Sequence, residues 1–197
     1  METVFATNNA HKVAEVAEIL GPGFTVVTPS SLGFDGDIPE TSPTLEGNSL
    51  QKAQFIWDKF HKNCFADDTG LEIDALDGAP GVLSARFAGP QKDSADNRRK
   101  VLALLKGVPF GERTARFRCV VTYIEDGVPT VFEGVCEGYI ALGESNGEHG
   151  FGYDSIFVPQ DMDVTMAEIS PEAKNAISHR GKAMRKLACH LSQNQGQ

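Results

Sequence analysis

No stretch of the sequence approaches the ~20 consecutive apolar residues that a membrane-crossing helix needs. The start, Met1 to Thr7, has an acidic second residue and no basic segment leading into an apolar run. Neither membrane spanning nor secretion is therefore expected. Cysteine is scarce: Cys64, Cys119, Cys136 and Cys189 lie 55, 17 and 53 positions apart and form no CxxC pair. That excludes a zinc ribbon and a dithiol redox motif, and leaves reduced, mostly buried thiols in a cytoplasmic protein as the expectation. Positive charge is also in deficit, with 18 basic against 27 acidic residues and a net charge of −9. Such a surface repels nucleic-acid backbones and anionic membranes, so any polyanion must be held by a local basic cluster or a metal.

What is present is the composition of a globular protein. With 197 residues, 41% apolar and 23% charged, the chain suffices for one domain, or for two small lobes around a shared core. Thr3 to Thr7 reads as a strand, and Val13, Val16, Ala17 and Leu20 recur at helical spacing until Gly21-Pro22-Gly23. Phe24 to Val27 reads as a second strand, followed by a Ser-, Gly-, Asp- and Pro-rich loop from Pro29 to Pro43 that carries Glu40. A helix is predicted from about Leu45 to His61, with Leu45, Leu50, Ala53 and Trp57 inward and Asn48, Lys52 and Lys59 elsewhere on it. Two strands are expected to flank a polar corner at Asp67-Asp68-Thr69-Gly70. A helix from about Ser94 to Leu105 follows a Gly/Pro-punctuated loop. Two β-rich runs, Thr114 to Glu125 and Thr130 to Leu142, are joined by the hairpin signal Asp126-Gly127. A short strand at Ser155 to Val158 and a final helix N-capped by Ser178, with Ala183, Leu187 and Leu191 inward, complete a mixed α/β pattern.

Four segments carry possible chemistry. Thr7-Asn8-Asn9-Ala10-His11-Lys12 places small polar side chains and free backbone N–H groups between a strand end and a helix N-terminus, which suits an anion, although it is no Walker sequence. Asp67 and Asp68, with Glu40 upstream, offer the carboxylate oxygens that Mg²⁺ prefers; adjacent strand residues point to opposite faces, so at most one aspartate aims into a given pocket. The bland alternative is an acidic turn bonding its own backbone. Asp68-Thr69-Gly70 also spells the aspartic-protease tripeptide, but the chain holds no twin for it and its helices do not suit an all-β protease. Gly147 to Asp154 frees backbone beside Phe151 and Tyr153; an aromatic there could stack on a nucleobase or plug the core. Lys174 with Ser178-His179-Arg180-Gly181-Lys182 gathers donors suited to keto oxygens or phosphates, or forms a solvated basic helix face.

Taken in order, Thr7 to Lys12, Glu40 before Glu46-Gly47-Asn48 and Lys52-Ala53, Ala66-Asp67-Asp68-Thr69-Gly70-Leu71, Gly78 to Gly81 with Ser84-Ala85-Arg86, Phe151-Gly152-Tyr153-Asp154 and Ile177-Ser178-His179-Arg180-Gly181 resemble the inosine/xanthosine triphosphate pyrophosphatase family over nearly the whole chain. The resemblance implies an elongated mixed β-sheet flanked by helices, with residues 1–197 forming one domain of two lobes around a central substrate cleft. It implies hydrolysis of deaminated purine nucleoside triphosphates (ITP, dITP, XTP) to monophosphate and pyrophosphate with Mg²⁺, in a homodimer. Position by position, Thr7, Asn8, Asn9, Ala10, His11 and Lys12 would hold phosphates, with Lys52 and Thr69 also binding substrate. Glu40 and Asp68 would bind Mg²⁺, and Asp68 would accept a proton from the attacking water. Phe151, Gly152, Tyr153 and Asp154 would stack on and read the base, Lys174 would bind substrate, and His179 with Arg180 would recognise the 6-keto edge. Asn8 departs from the glycine, and Thr69 from the serine, that many members carry.

Overall fold

The computed structural model describes residues 2–194. Its sheet has seven strands in the order β2-β1-β3-β5-β6-β7, with β4 paired to β3, where β1 is Glu2–Phe5, β2 Thr25–Val27, β3 Cys64–Ile73, β4 Pro80–Gly81, β5 Thr114–Glu125, β6 Val128–Ile140 and β7 Phe157–Pro159. The helices are α1 Ala10–Leu20, α2 Leu45–Phe60, α3 Ser94–Leu104, α4 Pro171–Ile177 and α5 His179–Asn194. β1 runs parallel to both β2 and β3, while β4 and β7 are antiparallel to their neighbours. The sheet is thus mixed, as the alternation of crossovers and hairpins in the sequence requires.

The chain divides into two compact units. Among the described residues the first comprises 2–68, 119–134 and 179–194, and the second 69–118 and 135–178. In the first, strand alternation sorts the core into two layers. Phe5, Phe65, Cys119, Val121 and Tyr123 pack with Val16 and Leu20 of α1 and with Ala183, Met184, Leu187 and Leu191 of α5. Val4, Ala6, Cys64, Ala66 and Ile124 face the other way, onto Ala53 and Ile56 of α2. A strand buried on both faces shows no apolar–polar alternation, which is why Val4-Phe5-Ala6 and Cys64-Phe65-Ala66 are continuous apolar runs. Phe5 and Phe65, paired across β1 and β3, stack at 4.5 Å. β6 approaches α5 so closely that a Cβ on Gly134 would lie 2.0 Å from the His179 carbonyl oxygen, so this crossing admits only glycine. In the second unit, Leu71, Ile73, Val101, Leu105, Phe117, Ile140, Tyr153, Ile156, Phe157 and Met166 form one core.

Most predicted elements are present, with four differences. The polar corner at Asp67 to Gly70 does not exist: β3 runs unbroken through it, because both aspartates meet cations instead of turning to water. On α2, Leu50 is exposed, Trp57 is half-buried, and Asn48 and Lys52 are among the buried residues. Ser155 lies in a 3₁₀ turn, Asp154–Ile156, that precedes β7. Ser178 directly precedes α5 as expected, but it also closes an additional helix, α4, which begins at Pro171 with Ser170 as N-cap. The hairpin turn is as expected, with Asp126 (φ 49°) and Gly127 (φ 81°) both in the left-handed region that a tight two-residue turn demands.

Candidate active site

The first unit builds its site around the aspartate pair of β3. Asp67 shares a face with Phe65 and so points toward α1 and α5; Asp68 shares a face with Ala66 and points toward α2. The partners follow from this. Asp67 accepts from Lys12 Nζ of α1 at 2.9 Å and from Arg180 Nε of α5 at 3.1 Å, with Cys119 Sγ 3.9 Å away. Arg180 also pairs with Glu15 of α1. Arg180 and Asp67 are almost wholly buried and His179 is buried beside them, so of the donors at the α5 start only Lys182 is exposed.

Asp68 accepts from Asn48 Nδ2 at 3.1 Å through Oδ2, and from Lys52 Nζ at 3.5 Å through Oδ1. The same ammonium donates to Glu40 Oε1 at 2.6 Å. Asn48 and Lys52 stand one helical turn apart on α2, which is why both reach Asp68. The Glu40 loop is tied down locally. Thr41 N donates to Gln51 Oε1 at 2.8 Å, Gln51 Nε2 returns a bond to Thr41 Oγ1 at 2.8 Å, and Ser42 N donates to Asn48 Oδ1 at 2.8 Å.

The two neighbouring carboxyls have opposite proton affinities. For both, burial opposes ionisation. At Asp67 the charges of Lys12, Arg180 and Lys52 outweigh it and hold the carboxyl well below the usual range. At Asp68 burial prevails over Lys52, Lys12 and Asn48, and Glu40 adds repulsion, so its affinity for a proton is raised. Environments that pull paired carboxyls apart in this way divide them into a permanent anion and a group able to take a proton. Lys52, despite burial, is held charged by Asp68, Asp67 and Glu40.

At the N-terminus of α1 the structure differs from the expected open anion cradle. Asn9 caps the helix, its Oδ1 accepting from His11 N at 3.0 Å and Lys12 N at 3.2 Å, and Thr7 Oγ1 accepts from Asn9 N at 3.1 Å. Those amides are thus engaged by side chains. Asn8 donates through Nδ2 to Gly36 O at 3.1 Å and so tethers this turn to the Pro29–Pro43 loop. Ala10 opens α1, and His179, buried, opens α5.

In the second unit Phe151, Gly152, Tyr153, Asp154 and Lys174 do come together. Asp154 Oδ2 accepts from Phe151 N at 2.8 Å and from Lys174 Nζ at 2.9 Å, and the ammonium lies 4.9 Å from the centre of the Phe151 ring. A Cβ on Gly150 (φ 79°) would strike Asp154 Oδ2 at 2.1 Å, which explains the glycine before the aromatic. Tyr153 is core, its hydroxyl donating to Ser84 O at 2.6 Å, and Arg98 Nη1 holds Gly152 O at 2.8 Å. Thr69 follows Asp68 along β3, and Arg86 sits half-buried in the Ser84–Arg86 turn.

Sequence reasoning missed Asn48, Glu15 and Arg98. For Asn48 a signal existed, since its four-residue spacing from Lys52 puts the two on one helix face. Among the described residues no group of three or more His, Cys, Asp or Glu side chains could hold an ion unaided. Glu40 and Asp68, two hard oxygen donors converging on one ammonium, nonetheless fit a cation of the Mg²⁺ type, which takes one or two carboxylates and fills its shell with water and phosphate oxygens.

The Ham1 family model matches residues 3–190. A Bacillus subtilis protein named dITP/XTP pyrophosphatase is 49% identical over 189 residues, covering 95% of each chain. A Flavobacterium johnsoniae protein of the same name is 44% identical over 187 residues, covering 95% of this chain and 96% of the other. Among solved structures, the Staphylococcus aureus Ham1 protein superposes with a TM-score of 0.88 at 39% identity, covering 98% of this chain and all of that one. The mixed sheet flanked by helices is thus shared with these relatives. Among the described residues no helix is long and apolar enough to cross a membrane.

Proposed function

Because the chain belongs to the Ham1 family, matching its model from residue 3 to 190, we propose that it hydrolyses deaminated purine nucleoside triphosphates, ITP, dITP and XTP, to the monophosphate and pyrophosphate. The carrying observation is the divided aspartate pair: one strand presents Asp67, whose two oxygens are held by Lys12 and Arg180, and beside it Asp68, which faces Lys52 and, through that ammonium, Glu40.

Phosphoryl transfer leaves a protein little covalent work; it positions the reactants and cancels charge. In this reading a water attacks the α-phosphorus as pyrophosphate departs, and Asp68 accepts the water's proton. Lys12 and Arg180 engage both oxygens of Asp67, which leaves Asp68 the better acceptor of the two aspartates, while Asp67 fixes the Lys12 ammonium through a 2.9 Å contact. Lys12 and Lys52 offset the negative charge of the polyphosphate, which the acidic surface otherwise repels. Glu40 and Asp68 would hold Mg²⁺, which when bound supplies Lewis-acid neutralisation of phosphate oxygens.

In this reading Phe151, seated by Asp154 and Lys174, would stack on the base and His179 would serve the 6-oxo edge, whereas Arg180, buried against Asp67 and Glu15, would act through Asp67. Donors aimed at a 6-oxo group disfavour adenine, whose 6-amino group sets donor against donor. We further assign a homodimer in a reducing cytoplasm; Cys64, Cys119 and Cys136 are buried and form no disulfide, which suits the latter.

The test is a panel of ITP, XTP, dITP, GTP and ATP with and without Mg²⁺, products identified by chromatography, with light scattering for the dimer. Mg²⁺-dependent release of pyrophosphate from the deaminated purines is expected. Orthophosphate release, or equal rates on ATP, would overturn the reading.

A further inference from the structure

Asn48 lies at the first turn of α2, 2% exposed, and makes two side-chain bonds to different parts of the site. Its Oδ1 accepts from Ser42 N, in the loop that carries Glu40, and its Nδ2 donates to Asp68 Oδ2. The assignment of oxygen and nitrogen is forced: a backbone N–H can only donate, so the amide oxygen must face Ser42, and the amide nitrogen is left for the carboxylate. Oδ2 of Asp68 is thereby occupied from the helix side. Its other oxygen, Oδ1, is the one that faces Lys52 and, through that ammonium, Glu40.

We infer that Asn48 is a positioning residue: it holds Asp68 by Oδ2 so that Oδ1 is presented to the reacting side, and it ties that orientation to the loop bearing Glu40. No other neutral side chain of similar size does both, because the site needs an acceptor toward Ser42 and a donor toward Asp68 on one short, branched group. Aspartate keeps the acceptor but sets a carboxylate against a carboxylate; leucine keeps the branching and loses both bonds. Gln51 provides the contrast, since it staples the same loop through Thr41 without any bond to Asp68.

The inference rests on the proposed role of Asp68, and its test separates the two. Asn48→Leu, Asn48→Asp and Gln51→Leu are compared with the unmodified protein for kcat and KM on ITP, for the Kd of a non-hydrolysable α,β-methylene ITP analogue, and for thermal midpoint. Residues that orient a reacting or ligating group typically cost ~10–100-fold when removed. Both Asn48 variants should lose that much in kcat, with KM and analogue Kd within about threefold of the unmodified protein, while Gln51→Leu keeps its kcat within about threefold. Asn48→Asp retaining normal turnover, or Gln51→Leu falling as far as the Asn48 variants, would reduce Asn48 to a loop staple and overturn the proposal.

Chemical denaturation of Asn48→Leu, Asp68→Ala and the double variant supplies a readout independent of turnover. Additive effects would mean the contact is not made, overturning the proposal whatever the substrate. Coupled effects in a protein that leaves ITP intact would support the contact and sink the functional reading instead.

Discussion

Replacing Asp67 by Asn removes a charge that two cations surround, without changing the shape of the side chain. Asp67 and Arg180 are both almost fully buried, and Lys12 is mostly covered. Breaking a buried pair by neutralising one member costs about 3–5 kcal/mol, because the charges left behind lose their compensation without regaining water. Here the lower end applies, since Arg180 keeps Glu15 and an amide oxygen can still accept one bond. A loss of about 3 kcal/mol in a chain of this length corresponds to a fall in Tm of about 6–12 °C. Thermal unfolding followed by circular dichroism at neutral pH measures it, and the fall should change little between low and high salt because buried pairs are weakly screened. The pH dependence has a definite sign. Asp67 is depressed in the folded state, so its contribution is complete above the unfolded carboxyl value of ~3.9 and is lost only as pH drops through its much lower folded value. The gap between the two proteins should therefore stay constant from pH 7 down to about 4.5. A Tm change under about 3 °C, or a gap that closes between pH 7 and 5, would refute the account of Asp67 as a buried, permanently ionised anchor.

Three further outcomes are expected. Asp68→Asn should lower turnover by orders of magnitude with Tm within a few degrees, since burial already disfavours the Asp68 charge; near-normal turnover in this variant, measured on ITP, would contradict the role given to Asp68. Tyr153→Phe removes the 2.6 Å bond to Ser84 O and leaves that carbonyl only the longer 3.4 Å bond from Asn97 Nδ2, costing about 1 kcal/mol and a Tm drop of roughly 2–4 °C, read in the same unfolding assay. A thiol reagent such as Ellman's should titrate one cysteine rapidly in the folded protein, the exposed Cys189, and all four in denaturant; rapid reaction of three or four before unfolding would contradict the burial of Cys64, Cys119 and Cys136.

The periodic parts of the fold were legible because packing there follows the pattern of the chain. α1, the Asp126–Gly127 hairpin and the inward Ala183, Leu187 and Leu191 of α5 all follow from apolar spacing and turn chemistry. β3 was not, since Asp-Asp-Thr-Gly has the composition of a turn, and only remote cations let it stay extended: Lys12 lies 55 positions away and Arg180 113. On α2 the reading failed for a related reason. An amphipathic pattern assumes that polar residues face water, whereas Asn48, Ser49 and Lys52 are buried against Asp68, Ala66 O and Thr122. α4 was legible but overlooked: Ser170-Pro171 is an N-cap followed by proline at the first helical position. Lys12, Glu40, Lys52 and Arg180, which converge on Asp67 and Asp68, lie in motifs the sequence offers; the different surroundings of the two aspartates were not legible, because they depend on which helix covers each face of one strand.

That dependence has a physical consequence for how such a site can vary. Neighbouring residues on a strand differ in direction by about half a turn, so a single step along β3 exchanges a cation-rich layer built from α1 and α5 for the Asn48–Lys52 layer of α2. The contrast in proton affinity is thus set by topology rather than by distance along the chain. Substitutions on α1 or α5 should act first on the anchored anion, and those on α2 on Asp68, the proposed proton acceptor. Asn48 is the place where the α2 layer also reaches the Glu40 loop, so a change there alters the orientation of Asp68 and the seating of that loop together, whereas a change at Glu15 or Arg180 reaches Asp68 only through Asp67.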